Sequence, residues 1–152
     1  MQTFLPYANF EKSFQVLDMK RLGKQRVEAM QILNVLSGKQ TTKGWNNHPA
    51  LLMWEGYENA LELYHDYSIL EWKKRGYKNT MEYKVFKSDT PEYEHIPEMP
   101  WWFGLKKIHR SHRSRLIAKD PQFYLPIFPD DEGYNDGKYW WPDNKTKTLK
   151  LI

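Results

Sequence analysis

The segment KRLGKQRVE, residues 20–28, places one carboxylate among four cationic side chains. At 100° per residue, a helix would bring Glu28 onto the same face as positions 21, 24 and 25, while the apolar positions 22, 29, 33 and 36 would form a second face. The apolar face predicts a helix that packs onto a core. Gly23 costs about 1 kcal/mol relative to alanine, which indicates that another group approaches the backbone there. Two interpretations of the polar face stay open: ordinary ion pairs in solvent, or a site that binds phosphates and uses Glu28 to move protons.

The chain has 152 residues, with 23 Lys and Arg against 19 Asp and Glu, and no cysteine. This length predicts one domain over residues 1–152, and the formal net charge of +4 is a weak indication of a polyanionic partner. The absence of cysteine excludes disulfides, thiolate nucleophiles and Cys-ligated zinc. No apolar run is as long as a membrane span, and the first residues lack the pattern of a signal peptide. We therefore expect an intracellular protein, cytoplasmic or nuclear, with no membrane partner.

Hydrophobic periodicity predicts three main helices, at residues 19–36, 49–75 and 105–118, after a short helix at residues 10–17. Prolines and alternating acids between the second and third helices predict a long surface loop. The expected fold class is all-α: a compact bundle of about three main helices with a long, irregular C-terminal tail, residues 122–152, that is rich in aromatic residues.

The predicted third helix is strongly basic. Between residues 105 and 119 the chain has six Lys or Arg and no acid. Each of these cations can neutralise a phosphate, and the alternative is an ordinary solvated helix face. With the cations of the first helix they predict a nucleic-acid-binding surface whose members are Lys20, Arg21, Lys24, Arg26, Lys106, Lys107, Arg110, Arg113 and Arg115.

Histidines suggest another kind of site. His109 and His112 lie three residues apart, and with His48 and Glu28 they would be the ligands of a metal-dependent hydrolase. The spacing lacks a recognised metal signature, and paired histidines on an apolar helix face are more often hydrogen-bonded core or pocket residues. We therefore expect no metal and no other cofactor, and the hydrolase stays an alternative.

Aromatic residues make up 16% of the chain, including seven Trp and ten Tyr. This exceeds the needs of a small core, so some of these side chains are expected to line a surface that grips a ligand. The candidates for a pocket, aromatic and polar together, are Gln25, Trp45, His48, Trp101, Trp102, His109 and His112.

Three segments of the sequence have an order and spacing that can be compared with those of a known family. The first, residues 22–28, ends in Glu28; the second, residues 70–77, reads LEWKKRGY; the third reads HRSRL at residues 112–116 and PQFY at residues 121–124. In order and spacing they resemble the first helix, the end of the second helix, and the third helix with its aromatic exit in the pyrimidine-dimer DNA glycosylases of the endonuclease V type. Members of that family are small, all-helical repair enzymes, and the resemblance runs in patches along most of the chain.

The resemblance implies a DNA glycosylase with an associated abasic-site lyase activity. In that family the free α-amine of the chain attacks the sugar C1′, forms a Schiff base and breaks the strand by β-elimination. The matching glutamate, Glu28, would stabilise positive charge on the sugar and shuttle protons. Because Gln2 is bulky and should prevent removal of the first residue, Met1 would supply the amine. Arg21 and Arg26 would hold the phosphates that flank the lesion.

The implied substrate is double-stranded DNA with damaged or modified pyrimidines, bound by a monomer. Because the target atom is hidden in a duplex, base extrusion is implied, and Trp45, Trp101 or Trp102 would fill the gap or stack on bases. A rival hypothesis is a non-catalytic nucleic-acid-binding module on the same fold, in which Glu28 would be dispensable.

Overall fold

A computed structural model of the protein describes residues 1–39 and 47–151. The described chain is mostly helical, which confirms that part of the predicted fold class. Its six α-helices are α1 (Phe10–Gln15), α2 (Met19–Leu36), α3 (Pro49–Leu52), α4 (Glu58–Lys74), α5 (Lys106–Lys119) and α6 (Pro121–Tyr124). None of the helices in these two ranges is long and apolar enough to cross a membrane.

The chain divides into two compact units. The first consists of Met1–Thr3 and Met19–Pro100, and in it α2 packs against α4. Its core is formed by buried apolar side chains, among them Leu22, Ala29, Ile32, Trp54, Leu61 and Ile69.

The second unit consists of Phe4–Asp18 and Trp101–Ile152. Here α5 packs against α6, against two short 3₁₀ helices (Pro129–Asp131 and Tyr134–Gly137) and against strand β1 (Trp140–Asp143). Its core includes Leu5, Phe14, Leu17, Trp102, Ile108, Leu116 and Tyr124.

Helix α2 has the predicted bounds, Met19–Leu36. It ends where Gly38 adopts a φ of 77° and donates its N–H to Val35, the left-handed geometry that closes many helices. The close approach predicted at Gly23 is also confirmed. A Cβ at this position would lie 2.9 Å from the ring of Trp72, a residue of α4.

Two predictions about the other elements need correction. The helix predicted over residues 49–75 is two helices, α3 and α4, because the intervening Gly56 adopts a φ of 87° that a continuous helix does not allow. The tail is also less irregular than predicted. Besides α6 and the 3₁₀ helices it forms an antiparallel hairpin, in which β1 (Trp140–Asp143) pairs with β2 (Thr148–Leu151).

The segment after α4 has no helix or strand before Trp101, yet a buried carboxylate anchors it. Asp66 of α4 accepts hydrogen bonds from the main-chain N–H groups of Lys84, Val85 and Phe86, at 2.8, 2.6 and 2.9 Å. Three donors on one carboxylate fix the path of this loop in the first unit.

Candidate active site and nucleic-acid-binding residues

Glu28 lies in the middle of α2 and is only 7% exposed. One carboxylate oxygen accepts a hydrogen bond from Nε2 of Gln25 at 3.3 Å, and the other lies 3.7 Å from Nζ of Lys24. The main-chain N–H of Gln2 also donates to this carboxylate. The nearly buried acid of the first unit therefore lies close to the ammonium group of Lys24 and accepts hydrogen bonds from two neutral donors.

Burial raises the pKa of Glu28 above its ordinary value. Lys24, the positive charge of the chain's amino terminus and the hydrogen bonds from Gln2 and Gln25 all act in the opposite direction. The balance leaves a carboxyl group whose pKa is closer to neutrality than that of an exposed glutamate. Such a group gives up and takes back a proton more readily at cellular pH.

The amino-terminal residues are anchored in the first unit. The side-chain oxygen of Gln2 accepts from the N–H of Thr3 at 2.9 Å, and the Thr3 hydroxyl accepts from the indole N–H of Trp54, also at 2.9 Å. Gln2 and Thr3 are both buried. These contacts hold the segment that carries the amino group of Met1, whose charge acts on Glu28.

The charge of that amino group also acts on His48. It caps α3, and its Nδ1 accepts from the N–H of Ala50 at 3.0 Å, so the neutral ring carries its proton on Nε2. Burial lowers the pKa of His48, and the positive charge at Met1 lowers it further. Of the predicted site residues, the structure thus associates Met1, Gln25, Glu28 and His48 within the first unit.

Tyr64 belongs to the same cluster, and the sequence did not single it out. Its hydroxyl donates to Oε1 of Gln25 at 2.7 Å, and its ring lies against that of Trp54 with centroids 5.7 Å apart. Burial, and then the charge of Glu28, raises the pKa of Tyr64 well above its usual value. Spacing along α4 marks Tyr64 only as a core residue, and the packing of α4 on α2 is what brings it to Gln25.

The predicted phosphate-binding cations of α2 fall into two groups. Lys20 and Lys24 are exposed and Arg21 is half-buried. Arg26, in contrast, is held against the protein: its guanidinium lies 4.2 Å from the ring centroid of Trp72, and Nη1 donates to Asn79 at 2.8 Å. Burial lowers the pKa of Arg26. Its main contacts are therefore with its own fold.

In the second unit, an acid from outside α5 pairs with two of its cations. Asp131, from a 3₁₀ helix, accepts from Nε of Arg110 at 3.0 Å and from Nε of Arg113 at 2.7 Å. Arg113 also donates to the main-chain oxygen of Pro6 at 2.7 Å. The remaining predicted cations of this helix, Lys106, Lys107 and Arg115, are exposed.

Both histidines of α5 are occupied by main-chain partners. Nδ1 of His112 accepts from the N–H of Leu5 at 2.8 Å, and His109 donates from Nδ1 to the Leu5 oxygen, also at 2.8 Å, while its Nε2 accepts from Gly104. Burial lowers the pKa of His112 to about 3. These rings are nearly buried, and they fasten the amino-terminal segment of the second unit. Among residues 1–39 and 47–151, no group of three or more His, Cys, Asp or Glu side chains is placed to hold a metal ion.

The tryptophans predicted to stack on bases have different environments. Trp102 is 0% exposed and belongs to the core, so it is not available to a base. Trp101 is half-buried and donates to Oδ1 of Asn144 at 2.7 Å. Trp45 lies outside the described residues.

Comparison with known protein families gives a match that covers the residues around Glu28 in the first unit. The model of the pyrimidine dimer DNA glycosylases matches residues 1–85 of the 152, more than half of the chain. The protein belongs to this family of DNA glycosylases, as its sequence motifs suggested. No curated protein and no solved structure matches the chain. The matched range includes Met1, Gln25, Glu28, His48 and Tyr64.

Proposed function

We propose that this protein is a monomeric DNA glycosylase with an associated lyase activity, which acts without a cofactor on damaged or modified pyrimidines in double-stranded DNA. The α-amine of Met1 is the nucleophile and Glu28 is the proton carrier. The observation that carries the proposal is the position of Glu28. This carboxylate is nearly buried, accepts a hydrogen bond from the N–H of Gln2 and interacts with the positive charge of the amino terminus.

The proposed reaction begins with the neutral amine. Its nitrogen lone pair forms a bond to C1′ as the bond between C1′ and the base breaks, and the departing base takes the electron pair and then a proton from water. Opening of the sugar ring transfers a proton to O4′ and leaves a Schiff base between C1′ and the amine nitrogen. A proton then passes from C2′ to water, a double bond forms between C2′ and C3′, and the 3′ phosphate leaves with the electron pair of the C3′–O bond, which breaks the strand.

Glu28 serves two of these steps. As a carboxylate it stabilises the positive charge that develops on the sugar, and it accepts the proton that the amine loses on attack. Burial raises the pKa of Glu28, so the acid formed in this way can return the proton to O4′. A buried site also strengthens the attraction between the carboxylate and the developing charge.

Exposed cations supply the electrostatic part of DNA binding. Lys20 and Lys24 lie on the helix that carries Glu28, and Lys106 and Lys107 begin α5 of the second unit. Each cation that neutralises a phosphate releases counterions, so binding should weaken steeply as salt rises. Arg110 and Arg113 contribute less to this term because Asp131 already pairs with both.

Borohydride trapping tests the proposal directly. Duplexes that contain an abasic site or ultraviolet-damaged pyrimidines are mixed with the protein, reduced, and examined by mass spectrometry for a covalent adduct. We expect an adduct whose attachment point maps to the amine of Met1. A variant with two extra residues before Met1 is the matched control, because it keeps every side chain and moves the amine; it should give no adduct at this site.

Other outcomes would contradict the proposal. An adduct at a lysine side chain would remove Met1 from the mechanism. Tight binding to both duplexes without any adduct would overturn the lyase step and favour the binding module, in which Glu28→Gln changes nothing.

A further inference from the structure

We propose that Tyr64 and Gln25 form a positioning pair, in which the Tyr64 hydroxyl fixes the direction of the Gln25 amide and thereby keeps a hydrogen-bond donor on the Glu28 carboxylate. The inference rests on the proposed function only where it concerns catalysis. The hydrogen-bond chain itself is a property of the protein without DNA.

The two hydrogen bonds that connect Tyr64, Gln25 and Glu28 run in one direction. Tyr64 donates to Oε1 of Gln25 at 2.7 Å, and Nε2 of the same amide donates to Glu28 at 3.3 Å. A side-chain amide has an acceptor end and a donor end of nearly equal shape, so its orientation is set by its neighbours. Because the tyrosine hydroxyl takes the oxygen end, the NH₂ end is left to face the carboxylate.

Burial makes this direction costly to change. Gln25 is 1% exposed and Tyr64 is 0% exposed, so water cannot easily replace either partner. A flipped amide would direct its oxygen at the carboxylate, and two acceptors facing each other in a buried site repel. Burial also raises the pKa of Tyr64 far above its usual value, so its hydroxyl keeps its proton across the pH range of the reaction.

The pair differs from the other groups that act on Glu28. Among residues 1–39 and 47–151, the charged or titratable groups that interact with Glu28 are Lys24 on its own helix, the amino terminus at Met1, and Tyr64 itself. Lys24 is 71% exposed, so dissolved salt screens its charge. The Tyr64–Gln25 chain is neutral and buried, which makes its effect on Glu28 insensitive to salt.

The direct test is an NMR titration of the Glu28 carboxyl, in protein labelled with ¹³C at the glutamate side chains and without DNA. Loss of one hydrogen bond to a carboxylate should raise its pKa by about half a unit to one unit. We expect Gln25→Met to give this shift, and Tyr64→Phe to give a part of it. The shift should persist at high salt.

A double variant tests whether the hydrogen bond from Tyr64 to Gln25 causes the shift in the Glu28 titration. If Tyr64 acts through Gln25, the Gln25→Met, Tyr64→Phe protein should titrate like Gln25→Met alone. Tyr67→Phe is the matched control, because this tyrosine lies on the same helix and packs on Phe86, with ring centroids 5.1 Å apart. It should leave the Glu28 titration unchanged. Additive shifts in the double variant, or no shift in Tyr64→Phe, would overturn the inference.

Kinetics then connect the pair to catalysis. The acid limb of the pH profile of kcat/KM for strand cleavage should move to higher pH in Tyr64→Phe by the same amount as the carboxyl titration, with little change on the alkaline side. A carboxyl shift without a shift of the acid limb would leave the positioning pair intact and would overturn the role proposed for Glu28. The two failures are therefore distinguishable.

Discussion

Helices α2 and α5 both bury polar side chains, but they give them different partners. On α5, both histidine rings are neutral and bond to the main chain at Leu5: His112 accepts from its N–H, and His109 donates to its oxygen. On α2, Glu28 meets side chains, one N–H group and the charge of the amino terminus. The bonds from the two histidines to Leu5 fix the path of the amino-terminal segment in the second unit. The side chains and the terminal amine around Glu28 instead leave its carboxyl group able to gain and lose a proton.

The two clusters also differ in their energetic cost. The buried histidines stay neutral and satisfied, so they add to stability near neutral pH. Glu28 is disfavoured by burial in its ionised form, the form that the proposed reaction needs. This burial cost falls on a carboxylate that the proposed reaction uses in its ionised form, and it therefore supports the proposal that the chemistry takes place at α2.

The largest effect that separates the clusters is expected from Glu28→Gln. Loss of a general acid and base lowers rates by about 10²- to 10⁴-fold, and base release measured under single-turnover conditions should fall by that amount. Glu62→Gln is the matched control, because burial also raises the pKa of Glu62, a half-buried carboxyl on α4 outside the cluster. Equal losses in the two variants would contradict the assignment.

The same substitution should not lower stability. Because the pKa of Glu28 is raised in the folded protein, its ionised form disfavours folding at pH values above that pKa, and this penalty disappears as pH falls through it. Glu28→Gln removes the penalty at neutral pH, so its unfolding midpoint in urea should equal or exceed that of the wild type.

The second prediction concerns α5. Between pH 6.5 and 3 the folded protein keeps His112 neutral while the unfolded chain binds a proton, so stability is lost as pH falls. A pKa lowered to about 3 corresponds to a loss on the order of 4 kcal/mol over this range. In His112→Gln, the amide oxygen can still accept from Leu5 but does not titrate, so the decline should be shallower.

Urea unfolding at pH 7, 5.5 and 4.5 measures this slope. His95→Gln is the matched control, because His95 is exposed and belongs to the first unit. The comparison of the two clusters would fail if His112→Gln lost catalysis in proportion to Glu28→Gln at neutral pH while remaining folded.

The sequence predicted the cluster of α2 better than that of α5 for a physical reason. Helical periodicity places Glu28, Gln25 and Lys24 on one face, and the bounds of α2 were correct to the residue. Periodicity within a helix carries no information on contacts between elements. It could not reveal that Tyr64 of α4 reaches Gln25, or that a 3₁₀ helix delivers Asp131 to the arginines of α5.

The break between α3 and α4 escaped prediction for a related reason. A glycine within an apolar pattern is compatible with a helix, and only the backbone of Gly56 shows that it has positive φ. Trp102 was misassigned because a run of aromatic residues does not tell which ring is buried. The close approach at Gly23 was predictable, since glycine is costly inside a helix unless something requires it.

The smallest predicted effect is that of Gly23→Ala on the free energy of unfolding. Helix propensity and packing against α4 act on it in opposite directions. In a free helix, Gly23→Ala would gain about 1 kcal/mol, because alanine is the better helix former. In this protein the new Cβ would lie 2.9 Å from the Trp72 ring. The ring has little room to retreat, since its indole N–H donates to the oxygen of Lys78 at 2.9 Å and Tyr77 and Arg26 cover it.

We therefore expect Gly23→Ala to destabilise the protein by about 1–2 kcal/mol in urea unfolding, because overpacking outweighs helix propensity. Val27→Ala is the control on the same helix: Val27 is exposed, so this change should stabilise by a few tenths of a kcal/mol, about the difference in propensity. The atoms closest to the new Cβ are Cζ3 and Cη2, which belong to the outer ring of the indole. Trp72→Phe removes that outer ring, so in this background Gly23→Ala should become stabilising, whereas a loss that persisted there would show that the glycine is needed for the backbone of α2 itself.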